Sequence, residues 1–209
     1  MNIQRHGWLI LVLFAGTTCI DRLHAQGDML TDMRDGQQYR TVWIGDQHWM
    51  AENLNYDGGV RTCYDSDPGL CGSYGGLYSF EVATGVCPAG WHLPTRDEWI
   101  ILSEFLGSSE AGQKMKARKQ DPVPWDGNNE SGFSAIPAGA GNGEGFLRKG
   151  DWALFWSATE YNGQRAWFAQ LDGFWYPSPP KYRNLYVGWY YLKSNLFSVR
   201  CIENDPPSE

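Results

Sequence analysis

Beyond its first 25 residues, this 209-residue sequence has no apolar run long enough to cross a membrane. Its most extended apolar stretch begins at Trp8 and fades before Ile20, and as a helix it would span only about 20 Å. The hydrocarbon core of a bilayer is roughly 30 Å thick. We therefore expect no membrane-spanning helix.

The sequence also has few residues of the kinds that build metal centres and nucleophilic active sites. After residue 25 its only histidines are His48 and His92, and it contains no His-x-x-x-His, Cys-x-x-Cys or serine-elbow motif. His48 falls in a predicted hairpin, and His92 is flanked by Trp91 and Leu93. We interpret both as packed or hydrogen-bonded structural histidines, and we expect a protein that is not an enzyme.

Positive charge is scarce, with 17 lysines and arginines against 24 acidic residues and a formal net charge of −7. Nucleic acid demands a basic face on the protein that binds it, so nucleic acid is not an expected partner. The one basic cluster, residues 114–119 (KMKARK), is interpreted as the solvated face of a helix.

The N-terminal apolar stretch has the features of a secretory signal peptide. A short basic region precedes it, and Ala25 offers a small residue for cleavage. We predict a signal peptide over residues 1–25, a single domain over residues 26–209, and export to the extracellular space or the outer-membrane surface. The alternative is a lipoprotein signal with a lipid anchor at Cys19, although residues 16–18 are a poor run-up to such a cysteine.

Cysteine usage supports export. Four cysteines follow the signal peptide, and an even number in an exported chain indicates two disulfides with three possible pairings. We favour Cys63 with Cys71 and Cys87 with Cys201. If loop-closure entropy sets their contribution, the short loop stabilises by roughly 2.6 kcal/mol and the long one by about 4.8 kcal/mol.

Tryptophan is the residue in excess, with 11 in the chain. An indole N–H needs a partner when it is buried, so we expect many of these rings to be half-buried. Residues 172–195 combine tyrosine and tryptophan, which supply contact area at low side-chain entropy, with asparagine and with prolines that stiffen the loop. The candidate ligand-binding residues there are Trp175, Tyr176, Tyr182, Asn184, Tyr186, Tyr190 and Tyr191.

An alternative for this segment is that about half of its rings fill the core between strands. Strand alternation makes Leu185, Val187 and Trp189 the expected core members.

The local patterns predict an α+β fold. Residues 39–44 and 47–50 flank Gly45-Asp46 as a hairpin, and residues 55–76 read as a loop closed by the short disulfide. Thr95-Arg-Asp-Glu98 is a capping box that starts a helix with Trp99, Leu102 and Leu106 on one face, and Gly107 ends it.

The remaining chain is predicted to be mostly irregular or extended. A shorter helix is expected over residues 110–118 with Ser109 as its cap, and residues 121–151 are expected to be loop. Late strands are predicted at residues 155–159, 166–171, 185–190 and 197–202. In the last of these, Phe197, Val199 and Cys201 alternate with polar residues and predict one buried face.

Four stretches together resemble the family called the Fibrobacter succinogenes major paralogous domain. They are residues 44–54 (IGDQHWMAENL), 74–78 (YGGLY), 87–99 (CPAGWHLPTRDEW) and 198–201 (SVRC). The resemblance covers about residues 32–202 and implies a C-type-lectin-like fold, in which small twisted sheets accompany two helices and long loops. It further implies that the first and last strands lie side by side, and that a bridge joins Cys87 to Cys201.

The formylglycine-generating enzyme is a related branch with a similar start to its helix. Its oxidation chemistry uses a late pair of redox-active cysteines, whereas Cys201 is the only late cysteine here. Sugar-binding C-type lectins use Glu-Pro-Asn or Gln-Pro-Asp runs, and neither occurs. We expect no cofactor, with a calcium ion near Asp126 and Asn128 as a weak alternative because that segment gathers oxygen ligands.

These observations predict an exported, non-enzymatic binding module that engages an extracellular glycan or protein through the aromatic C-terminal segment. One alternative is a structural or assembly subunit of a cell-surface complex, in which the aromatic segment is a subunit interface. The other is an oxidase-like relative of the formylglycine-generating enzyme, which would require a free cysteine.

Overall fold

The computed structural model describes residues 28–172 and 184–204, which form a mixed α+β fold with antiparallel sheets, short helices and two disulfides. The strands are β1 (Met29–Thr31), β2 (Gln38–Ile44), β3 (Gln47–Met50), β4 (Trp91–His92), β5 (Ala140–Asn142), β6 (Gly145–Leu147), β7 (Trp152–Asn162), β8 (Arg165–Asp172), β9 (Tyr186–Leu192) and β10 (Ile202–Glu203). The helices are α1 (Pro68–Tyr74), α2 (Phe80–Ala83), α3 (Arg96–Phe105) and α4 (Ala111–Met115), and a 3-10 turn covers Tyr64–Ser66. Among these described helices, none is both long and apolar enough to cross a membrane.

Several sequence predictions lie outside the described residues. They are the signal peptide, Cys19 and the binding candidates Trp175, Tyr176 and Tyr182.

The predicted hairpin is confirmed as β2 and β3, which pair antiparallel with Ile44 opposite Gln47. Gly45 in its turn has a φ of +61°, a left-handed conformation that glycine adopts without a steric penalty. A Cβ on Gly45 would lie 2.9 Å from the ring of Phe105. The left-handed backbone of the turn therefore requires glycine, and a larger residue would also have to displace the exposed ring of Phe105.

The hairpin belongs to a five-stranded sheet with the order β1-β2-β3-β10-β4. Ile202 of β10 lies opposite Trp49 of β3 on one side and His92 of β4 on the other. The last strand therefore lies beside the second strand of the hairpin, and the expectation that it pairs with the first strand is wrong. The Met50 N–H donates to the Cys201 carbonyl oxygen and so ties the start of β10 to β3, while the long disulfide ties Cys201 to Cys87, shortly before β4.

The capping box is confirmed at the start of α3. The Thr95 side chain accepts a hydrogen bond from the Glu98 N–H at 3.2 Å, and the Glu98 carboxylate accepts one from the Thr95 N–H at 2.6 Å. Trp99, Leu102 and Leu106 are buried, and Gly107 follows in the left-handed conformation with a φ of +84°. Local hydrogen bonding and glycine at the C′ position set both ends of this helix.

The second helix is shorter than predicted. It covers only Ala111–Met115, its N-cap residue is Glu110 instead of Ser109, and the chain is extended at Lys116. Lys116 is buried, its ammonium lies 2.9 Å from Asp126 Oδ1, and it donates to the Asp172 carbonyl oxygen at 2.8 Å. The helix ends because this lysine turns inward, so its interpretation as part of a solvated helix face is wrong.

The two predicted loops contain short regular elements. Residues 55–76 are closed by the short disulfide as predicted, but they also form α1, where the Asp67 carboxylate caps the helix by accepting from the Gly69 N–H at 2.9 Å. Residues 121–151 include the two-stranded hairpin of β5 and β6. The Asn142 side chain accepts from the Glu144 N–H in its turn, which is typical asparagine turn chemistry.

Three of the four late strands are confirmed as β7, β8 and β9, which form an antiparallel sheet in that order. The fourth is regular only at Ile202–Glu203, and Phe197 and Ser198 make single bridges to Tyr78 and Phe155.

The prediction of one buried face for residues 197–202 is wrong, because Ser198 and Arg200 are buried as well. This segment runs between the two larger sheets, so both of its faces meet protein.

Both disulfides have the predicted pairing, Cys63 with Cys71 and Cys87 with Cys201. The second joins residues that are 114 positions apart and fixes the last strand to the segment before α3.

Fewer tryptophans are half-buried than expected. Trp49, Trp99, Trp125 and Trp156 are buried, Trp91, Trp152 and Trp167 are half-buried, and Trp43 and Trp189 are exposed. Trp49, Trp99 and Trp156 find internal acceptors, as in the 2.8 Å bond from Trp156 Nε1 to the Tyr78 carbonyl oxygen. The buried Nε1 of Trp125 has no hydrogen-bond partner among the described residues. Burial of a whole indole is therefore compatible with its polar N–H here.

Candidate functional site

Exposed aromatic and aliphatic side chains concentrate on the sheet formed by β7, β8 and β9. We call this group the aromatic surface, and it consists of the half-buried Trp167 and the exposed Tyr161, Trp189, Tyr190, Tyr191 and Leu192. β9 supplies four of the six, and five of its seven residues are exposed. The group is divided between the two faces of the sheet, and exposed apolar area of this kind is typical of interaction sites on soluble proteins.

Three rings of the aromatic surface pack against one another on one face of the sheet. Tyr161 and Tyr190 are stacked, with ring centroids 3.6 Å apart and planes within 6°. Trp167 meets both edge-on, at centroid distances of 5.4 and 5.5 Å. Trp167 and Tyr190 are direct cross-strand neighbours, and an irregularity in the β7–β8 register lies next to Tyr161. The three rings are therefore held in place by one another and by strand pairing.

Arg96, the first residue of α3, supports this cluster from the side. Its guanidinium carbon lies 4.6 Å from the centroid of Trp167, and its Nε donates to the Val187 carbonyl oxygen at 3.2 Å. Its backbone N–H donates to Thr159 Oγ1. The capping box at Thr95 fixes the start of the helix, so it also fixes the position of Arg96 relative to β9.

Contact between the two stacked tyrosines changes the pKa of Tyr161. The hydroxyl of Tyr190 raises the pKa of Tyr161 above its ordinary value, by hydrogen bonding first and by its electrostatic effect second. The guanidinium of Arg165 lies 5.7 Å from the Tyr190 centroid. The cluster therefore combines apolar ring area with hydroxyls and two nearby positive charges from Arg96 and Arg165.

Trp189 and Tyr191 lie on the opposite face of β9, where they extend past the core. Trp189 is 65% exposed and Tyr191 is 47% exposed. Tyr191 contacts the buried rings of Phe168 and Phe197 edge-on, at 5.6 and 5.9 Å.

The prediction of Trp189 as a core residue is therefore wrong, whereas Leu185 is buried and Val187 packs against the core as expected. Strand alternation places Trp189 on the same face as Leu185 and Val187, but the core does not extend as far along β9 as Trp189.

The predicted binding residues do not form one cluster. Tyr190 joins the stacked rings, and Tyr191 lies on the other face. Tyr186 is half-buried at the far end of β9, opposite Gln170, and Asn184 precedes the strand with its side-chain oxygen buried.

Tyr161, Trp167 and Arg96 were missed by reasoning from the sequence. They lie on β7, β8 and α3, outside the segment whose composition attracted attention. Strand alternation could have identified Trp167. It lies between the buried Ala166 and Phe168, so its side chain must point to the other face of the sheet.

The two histidines are held by hydrogen bonds at the five-stranded sheet. His48 Nδ1 lies 2.6 Å from Glu203 Oε2 and its Nε2 lies 2.8 Å from Thr41 Oγ1, while its ring stacks on Trp43 with centroids 4.4 Å apart.

His92 lies between two oxygen atoms as well. Its Nε2 is 2.8 Å from Glu98 Oε1 and its Nδ1 is 2.7 Å from Asn204 Oδ1. Because Glu98 belongs to the capping box, His92 connects β4 to the start of α3.

The oxygen atoms considered for calcium have other contacts. Asp126 Oδ1 pairs with the Lys116 ammonium, and Asn128 Oδ1 accepts the Glu130 N–H at 3.1 Å. No group of three or more histidine, cysteine, aspartate or glutamate side chains suited to a metal occurs in the described ranges.

A family model described as the Fibrobacter succinogenes major domain matches residues 42–203, which is more than half of the chain. No curated protein and no solved structure matches the sequence. The matched range contains the capping box, both disulfides and all six residues of the aromatic surface.

Proposed function

We propose that this chain, which belongs to the Fibrobacter succinogenes major domain family, is an exported, non-enzymatic module that binds a glycan or protein ligand through its aromatic surface. The observation that carries the proposal is the assembled cluster of Tyr161, Trp167 and Tyr190, with Arg96 beside it. Aromatic and arginine side chains dominate binding energy in known interfaces.

The cluster is suited to binding because two of its three rings are exposed and all three are held in place by their neighbours. Tyr161 and Tyr190 are 45% and 38% exposed, yet stacking, strand pairing and Arg96 restrict their movement. Side chains that are ordered before binding lose less conformational entropy when a ligand arrives. The same rings offer hydroxyls, and their positively charged neighbours add hydrogen-bond donors.

Two further features support the proposal. Two disulfides are typical of proteins that fold outside the cytoplasm, which supports export by the predicted signal peptide and, as a lesser alternative, anchoring at Cys19. The clasp between Cys87 and Cys201 supports assignment to the C-type-lectin-like class.

The test is a glycan array run beside a pull-down from outer-membrane extract, because the pair separates sugar ligands from protein ligands. Tyr190→Ala and Trp167→Ala are expected to weaken binding to the ligand found by at least about tenfold, the range of interface hot spots. Phe105→Ala is the control, since Phe105 is an exposed ring outside the aromatic surface. Unchanged binding by both variants would remove the aromatic surface as the site.

A second candidate function is that of an assembly subunit, in which the aromatic surface contacts another copy of the chain. The observation favouring it is that β9 is the outer strand of its three-stranded sheet and carries exposed Trp189 and Leu192. Exposed apolar edge strands tend to pair with other chains. Light scattering should then detect oligomers that Trp189→Lys dissociates, and a wild-type chain that stays monomeric at millimolar concentration would contradict this role.

A further inference from the structure

A groove of about 540 Å³ lies apart from the aromatic surface and shares no residue with it. Its walls are the beginning of β2, the segment after β3, the end of α1, and parts of the chain between residues 117 and 136. Its volume falls in the range of small-molecule sites, roughly 300–1,000 Å³. The groove is therefore large enough to hold a ligand of several rings.

Two arginine–carboxylate pairs line this groove. Arg40 Nε lies 3.1 Å from Glu52 Oε1, and the same carboxylate accepts the Arg40 backbone N–H at 2.8 Å. Arg118 contacts Asp121 through its backbone N–H, Nε and Nη2 at 2.8–3.1 Å. The Arg118 backbone hydrogen bond is the main cause that lowers the pKa of Asp121, and Arg40 lowers it further through its charge. The two pairs therefore lie near one another.

Each pair leaves part of its arginine available to a ligand. Among the described residues, no acceptor contacts the Nη atoms of Arg40 or Nη1 of Arg118. Both side chains are about half exposed, and each is anchored by its carboxylate partner. A guanidinium with one side fixed and the other free is prepared to bind a carboxylate at two points.

A third arginine lies beneath the floor of the groove. Arg200 is 0% exposed and donates to the Asn53 side-chain oxygen and to the carbonyl oxygens of Met50, Phe133 and Ser134, at 2.6–3.1 Å. No carboxylate in the described part of the chain pairs with it.

Three arginines and two carboxylates thus line the groove, which gives it one net positive charge in an acidic protein. Burial lowers the pKa of Arg200 to about 9, so its guanidinium is still protonated at neutral pH. A low-dielectric floor strengthens the effect of this charge on an anion bound above it.

The rest of the lining suits a ligand rich in hydroxyls. Amide and hydroxyl side chains predominate over large apolar ones, and they include Gln38, Asn55, Ser73 and Asn129, with Tyr74 as a half-buried aromatic ring. The Asn129 side chain is oriented by two bonds to Ser134, at 2.8 and 2.9 Å. A peptide would need apolar pockets for its side chains, whereas a sugar needs such fixed polar groups and a ring to pack on.

We propose that this groove is a binding site for acidic carbohydrate, in which Arg40 and Arg118 hold the carboxylate of a uronic acid and the amide side chains hold its hydroxyls. The groove shares no residue with the aromatic surface. Loss of uronide binding would therefore not contradict the function proposed for the aromatic surface, and failure of that function would not contradict uronide binding.

Calorimetric titration of the disulfide-bonded protein with trimers of galacturonic acid and of mannuronic acid tests the proposal. The expected result is saturable binding of at least one trimer, at least tenfold tighter than binding of its carboxyl-reduced counterpart, which carries no charge. Binding should weaken as salt is raised, because the contacts are ionic and exposed.

The variants Arg40→Gln and Arg118→Gln should each weaken binding of that trimer at least tenfold, while Arg148→Gln, which changes an exposed arginine outside the groove, should not. Thermal unfolding of all three variants checks that the fold is retained. Equal binding of the neutral trimer, equal binding of triglutamate, binding retained by the double variant, or no saturable binding of either uronide at millimolar concentration would each overturn the proposal.

Discussion

Two clusters of aromatic rings with similar geometry occupy opposite environments in this protein. In the buried cluster, Trp99 stacks on Phe155 with centroids 5.6 Å apart, and Phe133 meets both edge-on. In the exposed cluster, Tyr161 stacks on Tyr190 and Trp167 meets both edge-on. Each cluster combines one stacked pair with one edge-on ring, although the exposed pair is closer, with centroids 3.6 Å apart against 5.6 Å. The largest difference between them is therefore in their surroundings.

The two clusters differ in whether their polar neighbours form hydrogen bonds within the protein or lie at its surface. Trp99 Nε1 donates to the Trp156 carbonyl oxygen at 3.4 Å, within the protein. A cation lies beside each cluster. The buried Arg200 guanidinium is 4.6 Å from the Phe133 centroid and 5.7 Å from that of Phe155, and it donates to oxygen atoms within the protein. Arg165, which is exposed, lies beside Tyr190, and Arg96 lies beside Trp167. The buried rings stabilise the fold through burial, whereas the exposed rings keep area and hydrogen-bonding groups for another molecule.

Truncating a buried ring should have the largest effect. Trp99→Ala is expected to lower the free energy of unfolding by about 3–5 kcal/mol, because it removes a buried ring and leaves a cavity. Trp189→Ala should change it by less than about 0.5 kcal/mol, since Trp189 is mostly exposed. Urea denaturation measures both, and equal losses would contradict the division between the two environments.

Substituting a buried arginine should likewise cost more stability than substituting an exposed one. Arg200→Met should cost at least about 3 kcal/mol, because it leaves four buried oxygen atoms without their donor. Arg165→Met, beside the exposed cluster, should change the unfolding free energy by less than about 0.5 kcal/mol. The same denaturation experiment applies, and a stable Arg200→Met variant would show that those oxygens find other donors.

Tyrosine titration should separate the environments at alkaline pH. Burial raises the pKa of Tyr39 to about 12, which the Asn55 N–H opposes by donating to its hydroxyl. The folded state then holds a proton that the unfolded chain releases near its ordinary pKa of about 10. This contribution to stability is complete below pH 10 and is lost as pH rises through about 12, and it amounts to about 2 kcal/mol.

Tyr39→Phe should flatten that part of the stability–pH curve, measured by urea denaturation between pH 9 and 12. Trp189→Phe, which changes an exposed ring that has no ionisable hydroxyl, is the control and should leave the slope unchanged. An identical slope for wild type and Tyr39→Phe would contradict the assignment.

The smallest effect is expected where the two environments meet, at the start of α3. Thr95→Ala removes the capping bond to the Glu98 N–H and should cost about 1 kcal/mol. Thr95→Ser keeps the hydroxyl and should be close to wild type. Because Arg96 follows directly, the alanine variant should also increase the mobility of Trp167. Fluorescence anisotropy would detect this increase in a protein in which the exposed Trp43 and Trp189 are replaced.

Much of the fold was predictable because it depends on neighbours in sequence. The Thr95–Glu98 capping box and the Gly45-Asp46 turn each use hydrogen bonds or backbone angles within a few residues. The helix α1 was missed, although its cap at Asp67 and Pro68 is equally local. Both disulfide pairings were also predicted, the long one with support from the family resemblance.

The candidate site was predictable only in part. Composition drew attention to residues 172–195 and so to Tyr190, but Tyr190 works with Tyr161 and Trp167, which other strands supply. A composition window has no information about which strands are neighbours, and strand register across β7, β8 and β9 is set by the whole sheet.

The sequence by itself therefore determined the capping box, the first hairpin and an excess of aromatic rings, and it favoured the cysteine pairing that the structure has. Only the tertiary structure decided that Trp189 is exposed, that Lys116 turns inward and that Arg200 is buried beneath a groove. The physical reason is that burial depends on where the core ends and on which distant groups satisfy a polar atom. Carbonyl oxygens from Met50 and Phe133 make a buried arginine tolerable, and they approach it only when the chain has folded.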